Sequence, residues 1–220
     1  MSDPTPADAP AWLQPMVAGL REIGAPPFLV PPSEGLDDWH RAAVLALFGD
    51  GPSGPDVLLM QRNAAMRSHA GQPAFPGGRI DPTDDGPVGA ALREAQEETG
   101  LDPAGVEVLA TLPELWIPPS GNVVTTVVAW WRVPSEVHAA IPAEVEAVAR
   151  VPISTLVDPA NRLVVRHVAI GRESPAFRVA GMVVWGFTAG VLDWLLTAAG
   201  WAREWDRSVV EPLPLPEVRT

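Results

Sequence analysis

Apolar residues along this chain recur in two distinct periods. "RAAVLALF" and "DVLLMQR" are short and almost continuously apolar, which predicts two buried strands separated by the turn-like "GDGPSGP". "VEVLATL", "VVTTVVAWWRV", "EVEAVARVP" and "LVVRHVAI" predict further strands, and "GMVVWGFTAGVLDWLLTAAG" turns from strand into helix near Trp185. The clearest helical period lies in "VGAALREAQEETG", closed by Gly100. At about 100° per residue, Val88, Ala91, Leu92, Ala95 and Thr99 share one side, while Glu94, Glu97 and Glu98 share a neighbouring one. Towards the N-terminus, "AWLQPMVAGLREIG" predicts a short helix, against which Pro15 counts because it lacks a backbone donor. Residues 1–10 read as a disordered leader, "APPFLVPPSEG" as a proline-rich connector and "EPLPLPEVRT" as an extended tail. No repeat or linker interrupts residues 40–200. The organisation expected is a leader and short helix over 1–35, one mixed α/β domain over 36–204, and a tail over 205–220.

Composition narrows the functional classes. The hydrophobic fraction, 47%, is ample for a core, yet no apolar run reaches the ~18–20 residues of a membrane helix. The acidic, proline-rich start has no basic segment ahead of an apolar one, so no signal peptide is expected. Cysteine is absent, which removes disulfides, thiolate metal sites and cysteine nucleophiles and fits a cytoplasmic protein. A formal net charge of −12 argues against nucleic acid as a partner, because such binding relies on Lys and Arg at phosphates. A small phosphorylated ligand is still allowed, since it needs only a few local cations and a bound metal ion can supply part of the field.

The acidic helix is the chemical centre of the sequence. Residues three and four apart meet on a helix surface, so Glu94, Glu97 and Glu98 can converge. Hard divalent cations take oxygen ligands and share them with substrate phosphates. A solvated acidic face is the plainer alternative for "EAQEE" taken alone. The preceding "FPGGRID" adds two adjacent glycines that permit a tight turn or close approach, Asp81, Asp84 and Asp85 add acid, and Arg93 sets a cation beside the carboxylates.

With these residues the sequence resembles the Nudix hydrolases. Their motif runs Gly, five residues, Glu, seven residues, Arg-Glu, an apolar residue, any residue, Glu-Glu, any residue, Gly and an apolar residue. Gly78, Arg93, Glu94, Ala95, Glu97, Glu98, Gly100 and Leu101 match it, whereas Asp84 stands where Glu is usual and eight residues separate it from Arg93. That insertion, and "LLMQRNAAMRSHAGQPAFPGG" before the box, look like the coenzyme A pyrophosphatase subgroup. Arg62, Arg67, Gly71, Phe75, Pro76, Gly77 and Gly78 agree with the subgroup pattern, and Asn63 departs from its usual Ser. "PPSGNVVT" and "WGFTAGVL" also resemble subgroup segments, and the likeness spans roughly residues 40–200.

The resemblance implies an α/β/α sandwich around a mixed β-sheet, with the acidic helix lining a cleft where water attacks a phosphorus of a nucleoside diphosphate derivative. It implies Mg²⁺ or Mn²⁺ held chiefly by Glu94 and Glu98, with Glu97 a third ligand or a group that positions water. It makes Arg93 a partner of Asp84 or a neighbouring carboxylate, with a plain surface ion pair as the alternative, and makes Gly77 and Gly78 shape the loop entering the site. A general base is expected from a later loop, Glu144 ahead of Glu146, with Glu97 also able to serve. For coenzyme A, the preferred substrate, Arg62, Arg67 and Arg79 are the candidate anion contacts, with His69 behind them. ADP-ribose, NADH and a non-catalytic nucleotide-binding domain are the competing readings. His40, His138 and His167 read as structural, and Trp130 and Trp131 as core or interface residues. Trp116 and Trp185 lie near subgroup-like segments without a ligand role. A homodimer is compatible with the family and with the tryptophan-rich, apolar C-terminal half.

Overall fold

The computed structural model describes residues 8–22, 39–66, 69–117, 121–167 and 172–213. Residues 1–7 of the leader, the whole proline-rich connector, Arg67, the side chain of His167 and the end of the tail lie outside the described residues.

The organising strand is β1 (His40–Gly51). It pairs in parallel with β7 (Asn122–Trp131) along its length, from His40 opposite Asn122 to Gly49 opposite Trp131. Its other edge changes partner midway. Phe48 to Gly51 pair antiparallel with β2 (Gly54–Arg62), whereas Ala42 to Val44 pair antiparallel with β4 (Gly77–Arg79). Past that point β2 continues between β3 (Pro73–Ala74) and β8 (Val145–Pro152). On the far side, β5 (Val106–Thr111) and β6 (Leu115–Ile117) both pair antiparallel with β7, completing an eight-stranded mixed sheet.

Both faces of the sheet are apolar and both are covered. Ala43, Leu45 and Leu47 of β1, Leu58 of β2 and Val127, Ala129 and Trp131 of β7 pack against Ala90, Ala91 and Ala95 of α2 (Gly86–Thr99). Opposite-parity residues, among them Ala46, Phe48, Val57, Leu59 and Val128, face α1 (Gln14–Glu22) and α4 (Gly186–Ala198). Strands buried on both faces read as unbroken apolar runs, which is why β1 and β2 are legible without strict alternation. This is the mixed α/β architecture expected, with helices on both sides of a mixed sheet.

Pro15 does not break α1, because it sits in the first turn where its missing N–H needs no partner. Gly19 lets α1 approach α4 so closely that a Cβ there would lie 2.0 Å from the Ala198 carbonyl oxygen. Leu13, Met16, Val17 and Leu20 are buried in that contact and the core beneath it. Beyond β8, the short α3 (Ile153–Leu156) leads to a second sheet of β9 (Arg162–His167), β10 (Arg172–Val179), β11 (Met182–Val184) and β12 (Val210–Pro212) in the order β11-β10-β9-β12, of which the pattern predicts β9 and β11 but neither β10 nor β12. Phe177, Val179 and Val184 carry it onto the α1–α4 side of the core. Arg162 is buried there between the rings of Phe177 and Trp205 and pairs with Asp193 of α4. Trp131 is buried as expected and Trp130 packs at the core margin, while Trp185 caps the start of α4. Among the described residues, no helix is long and apolar enough to cross a membrane.

Candidate active site

The site begins where β4 passes under α2. Gly77 has φ 156°, and a Cβ there would fall 2.3 Å from the Ala43 carbonyl oxygen and 2.6 Å from Val44 Cα. Only glycine allows this backbone approach. A Cβ on Gly78 would lie 2.4 Å from the Glu94 carboxyl carbon, so the Glu94 head group rests directly against bare backbone. The glycine pair thus brings strand backbone and helix carboxylates into contact.

The three glutamates differ sharply in surroundings. Glu98 is 3% exposed, and its Oε2 accepts the Gly77 N–H at 2.9 Å. Its other oxygen lies 3.6 Å from Arg62 Nη1. Burial pushes the Glu98 carboxyl up to about 7, against the lowering effects of the Gly77 N–H and Arg62, with Glu94 and Glu144 adding to the rise. Glu94 is half-buried and also raised, by burial first, with Arg93 opposing. Glu97 stands at the rim, its side chain 50% exposed. The anionic face inferred from the helical wheel is therefore graded from solvent to core, not uniformly solvated.

Arg93 ties the preceding loop to this helix. Its Nε and Nη2 grip Asp84 as a fork at 2.9 and 3.0 Å, and Nη2 also donates to the Arg79 carbonyl at 3.1 Å. Nη1 donates to Glu94 at 3.0 Å and to Glu97 at 3.2 Å. The fork holds the Asp84 carboxyl below its usual range, helped by the Asp81 N–H. Asp84 thus serves as the guanidinium's partner despite the one-residue insertion.

The remaining candidates differ in how they are held. Arg62 is drawn in towards Glu98, its Nη2 3.3 Å from Met66 Sδ and its Nε buried without a partner among the described residues. Glu144, on the loop before β8, is exposed and close enough for its charge to act on Glu98. Glu146 points outward from β8, and the Arg79 side chain is exposed while its backbone serves Arg93. His69 pairs with Gln72 at 3.0 Å, and the Gly100 backbone abuts the His138 ring, to which a Cβ would come within 2.7 Å. The motif could not reveal how the Glu144 loop is held: the Ala140 and His138 N–H groups donate to the carbonyls of Glu98 and Thr99 at 3.1 and 2.9 Å.

A divalent cation fits this donor set in kind. All the donors are carboxylate oxygens, and among the described residues the burial penalty on Glu98 is offset by one N–H and a guanidinium at 3.6 Å. Among the described residues no three acidic or imidazole side chains already form a metal cluster, and Arg93 engages both Glu94 and Glu97.

Fold and site together define a mixed α/β protein with a cluster of carboxylates, part buried and part exposed, at a strand-to-helix junction. Comparison with known proteins gives this class its family. Residues 39–173 match the NUDIX domain family. The chain is 39% identical over 176 residues to the Klebsiella pneumoniae subsp. pneumoniae protein called uncharacterized Nudix hydrolase NudL, covering 77% of this chain and 88% of that one. It is 38% identical over 168 residues to the Escherichia coli K12 protein of the same name, covering 73% and 84%. A solved Nudix hydrolase from M. smegmatis, RenU, is 32% identical over 53% of this chain and 72% of its own, with a TM-score of 0.40. This chain belongs to the Nudix hydrolase family.

Proposed function

We propose that this chain is a metal-dependent pyrophosphatase that hydrolyses the diphosphate of coenzyme A or acyl-coenzyme A to 3′,5′-ADP and (acyl-)4′-phosphopantetheine. The observation that carries the reading is the buried Glu98, set between the Gly77 N–H, Arg62 and the carboxylates of Glu94 and Glu144. A chain of net charge −12 has little reason to bury one more carboxylate beside others unless a cation completes the group.

Glu94, Glu97 and Glu98 would hold Mg²⁺ or Mn²⁺. When bound, the ion neutralises phosphate charge and makes a nearby water more acidic. Arg93 fixes Glu94 and Glu97 against the Asp84 loop and so sets their spacing. Gly77 and Gly78 leave room for the Ala43–Val44 backbone and the Glu94 carboxylate, and so shape the loop entering the site. Arg62 and Arg67 supply positive charge towards substrate phosphate. Glu144 takes a proton from the attacking water as its oxygen bonds to phosphorus, and the anhydride P–O bond breaks, leaving its electron pair on the departing phosphate. The stretch from Leu58 to Gly78, with its two arginines ahead of the glycine pair, supports coenzyme A over other nucleoside diphosphates.

The test is product analysis on purified protein given coenzyme A, ADP-ribose and NADH separately, with Mg²⁺, with Mn²⁺ and with chelator. Metal-dependent release of 3′,5′-ADP, faster than turnover of the other two, is the expected result. Preferential cleavage of ADP-ribose or NADH would discard coenzyme A and retain the chemistry, whereas intact substrates throughout would favour a binding domain.

A further inference from the structure

We infer that Asn63 is a positioning residue that holds the loop bearing Glu144 in register with Arg62 and the acidic helix; this rests on the proposal of Glu144 as the base. The ladder between β2 and β8 is regular from Asp56 to Gln61, then shifts register between Gln61 and Arg62, where Arg62 pairs with Val145. The position next to that irregularity is Asn63. Its backbone N–H donates to the Glu144 carbonyl at 2.7 Å, which any residue could do. The side chain adds what the backbone cannot. Its Oδ1 accepts the Ala65 N–H at 2.8 Å, closing an Asx turn at the start of the arginine-bearing loop, while its Nδ2 donates to the Pro142 carbonyl at 2.7 Å.

One carboxamide therefore joins two loops. Pro142 belongs to the turn in which the Glu144 and Val145 N–H groups both donate to the Ile141 carbonyl at 2.8 Å. The front of the same loop is tied to α2, through the Ala140 N–H on the Glu98 carbonyl and the His138 N–H on the Thr99 carbonyl. The loop is thus stretched between the helix that carries Glu98 and the residue beside Arg62, with Glu144 at the Asn63 end. A donor and an acceptor at opposite tips of one side chain are required for the double tie. A serine hydroxyl can close the turn at Ala65 but sits too near its own backbone to reach Pro142 as well.

The experiment compares Asn63→Ala, Asn63→Ser, Glu144→Ala and the Asn63→Ala/Glu144→Ala double variant with wild type. Readouts are coenzyme A hydrolysis with Mg²⁺ and, independently of turnover, backbone hydrogen exchange. Both Asn63 variants should lower kcat about 10-fold. KM should move by less than about threefold, and the double variant should be no slower than Glu144→Ala alone. Exchange of the segment spanning 141–145 should quicken in both Asn63 variants, with β1 unaffected. Multiplying losses, a change confined to KM, unaltered exchange at 141–145, or full turnover by Glu144→Ala would each overturn the inference while metal-dependent cleavage by wild type stands. A wild type that cleaves no diphosphate overturns the functional reading and this inference together.

Discussion

Glu98 and Gly77 lie 21 residues apart in sequence and are joined by one hydrogen bond, the strand N–H donating to the helix carboxylate at 2.9 Å. That contact fixes the height of α2 over β4 and defines which oxygen of Glu98 is already engaged. The other oxygen faces Arg62.

Glu98→Gln keeps an acceptor for the Gly77 N–H and removes the charge. Hydrolysis should fall by roughly 100-fold or more. The melting temperature in chelator should hold or rise, because a buried carboxylate has been replaced by a neutral amide of the same shape. Steady-state kinetics with a thermal melt checks both; unchanged turnover would remove Glu98 from the chemistry.

The metal-free protein should lose stability as pH rises. Burial lifts the Glu98 carboxyl to about 7 from the ordinary 4.5, so the folded state holds a proton that the unfolded chain has released between those values. The contribution of this group is complete below the unfolded value and is lost as pH climbs through the folded one, approaching about 3 kcal/mol. Urea unfolding in chelator from pH ~5 to pH ~8 should show the decline in wild type and a flatter profile in Glu98→Gln. Parallel profiles for the two proteins would contradict it.

Gly77→Ala and Gly78→Ala should separate fold from site. At Gly77 the added methyl meets the backbone of Ala43 and Val44, and φ is 156°, so a loss of about 2 kcal/mol or more is expected. At Gly78 it meets the movable end of Glu94, so the protein should stay folded while turnover drops. Denaturation midpoints set beside kcat decide this, and equal midpoints for the two variants would be the wrong outcome.

Arg93→Lys retains charge and loses the fork. Lysine cannot grip both Asp84 oxygens while also reaching Glu94 and Glu97, so activity should drop about 10-fold. Asp84→Asn should cost a similar factor, and combining the two should add little. A titration of activity against Mg²⁺ for the three variants tests the coupling, with fully multiplied losses counting against it.

Much of the architecture is legible in the sequence because burial on both faces leaves a direct trace. β1, β2 and β7 are apolar runs, and α2 ends at Gly100, whose φ of 70° suits its left-handed cap. In the second sheet, β9 and β11 are legible as apolar runs, whereas β10 and β12 leave no such trace. β10 reads "RESPAFRV", with charge at its start and Pro175 inside it, and β12 is a short segment ending in proline, so neither shows a strand period. At the site, the resemblance implies that Arg93 pairs with Asp84 or a neighbouring carboxylate, and Arg93 engages Asp84, Glu94 and Glu97 together. The burial of Glu98 was not legible, because a helical wheel places it beside the apolar side without saying how far α2 is rolled onto the sheet. Asn63 registered only as a mismatch with a pattern, since its partner Pro142 lies 79 residues away.

The contact of α1 with α4 also governs how this protein is made. Leu13, Met16, Val17 and Leu20 leave the ribosome well before the helix that covers them, which ends at Ala198. A helix this short has little stability alone, and its apolar side chains stay uncovered until α4 is synthesised. Newly made chains should therefore be most prone to aggregate just before Ala198 emerges, and docking of the first helix should be among the last steps of folding.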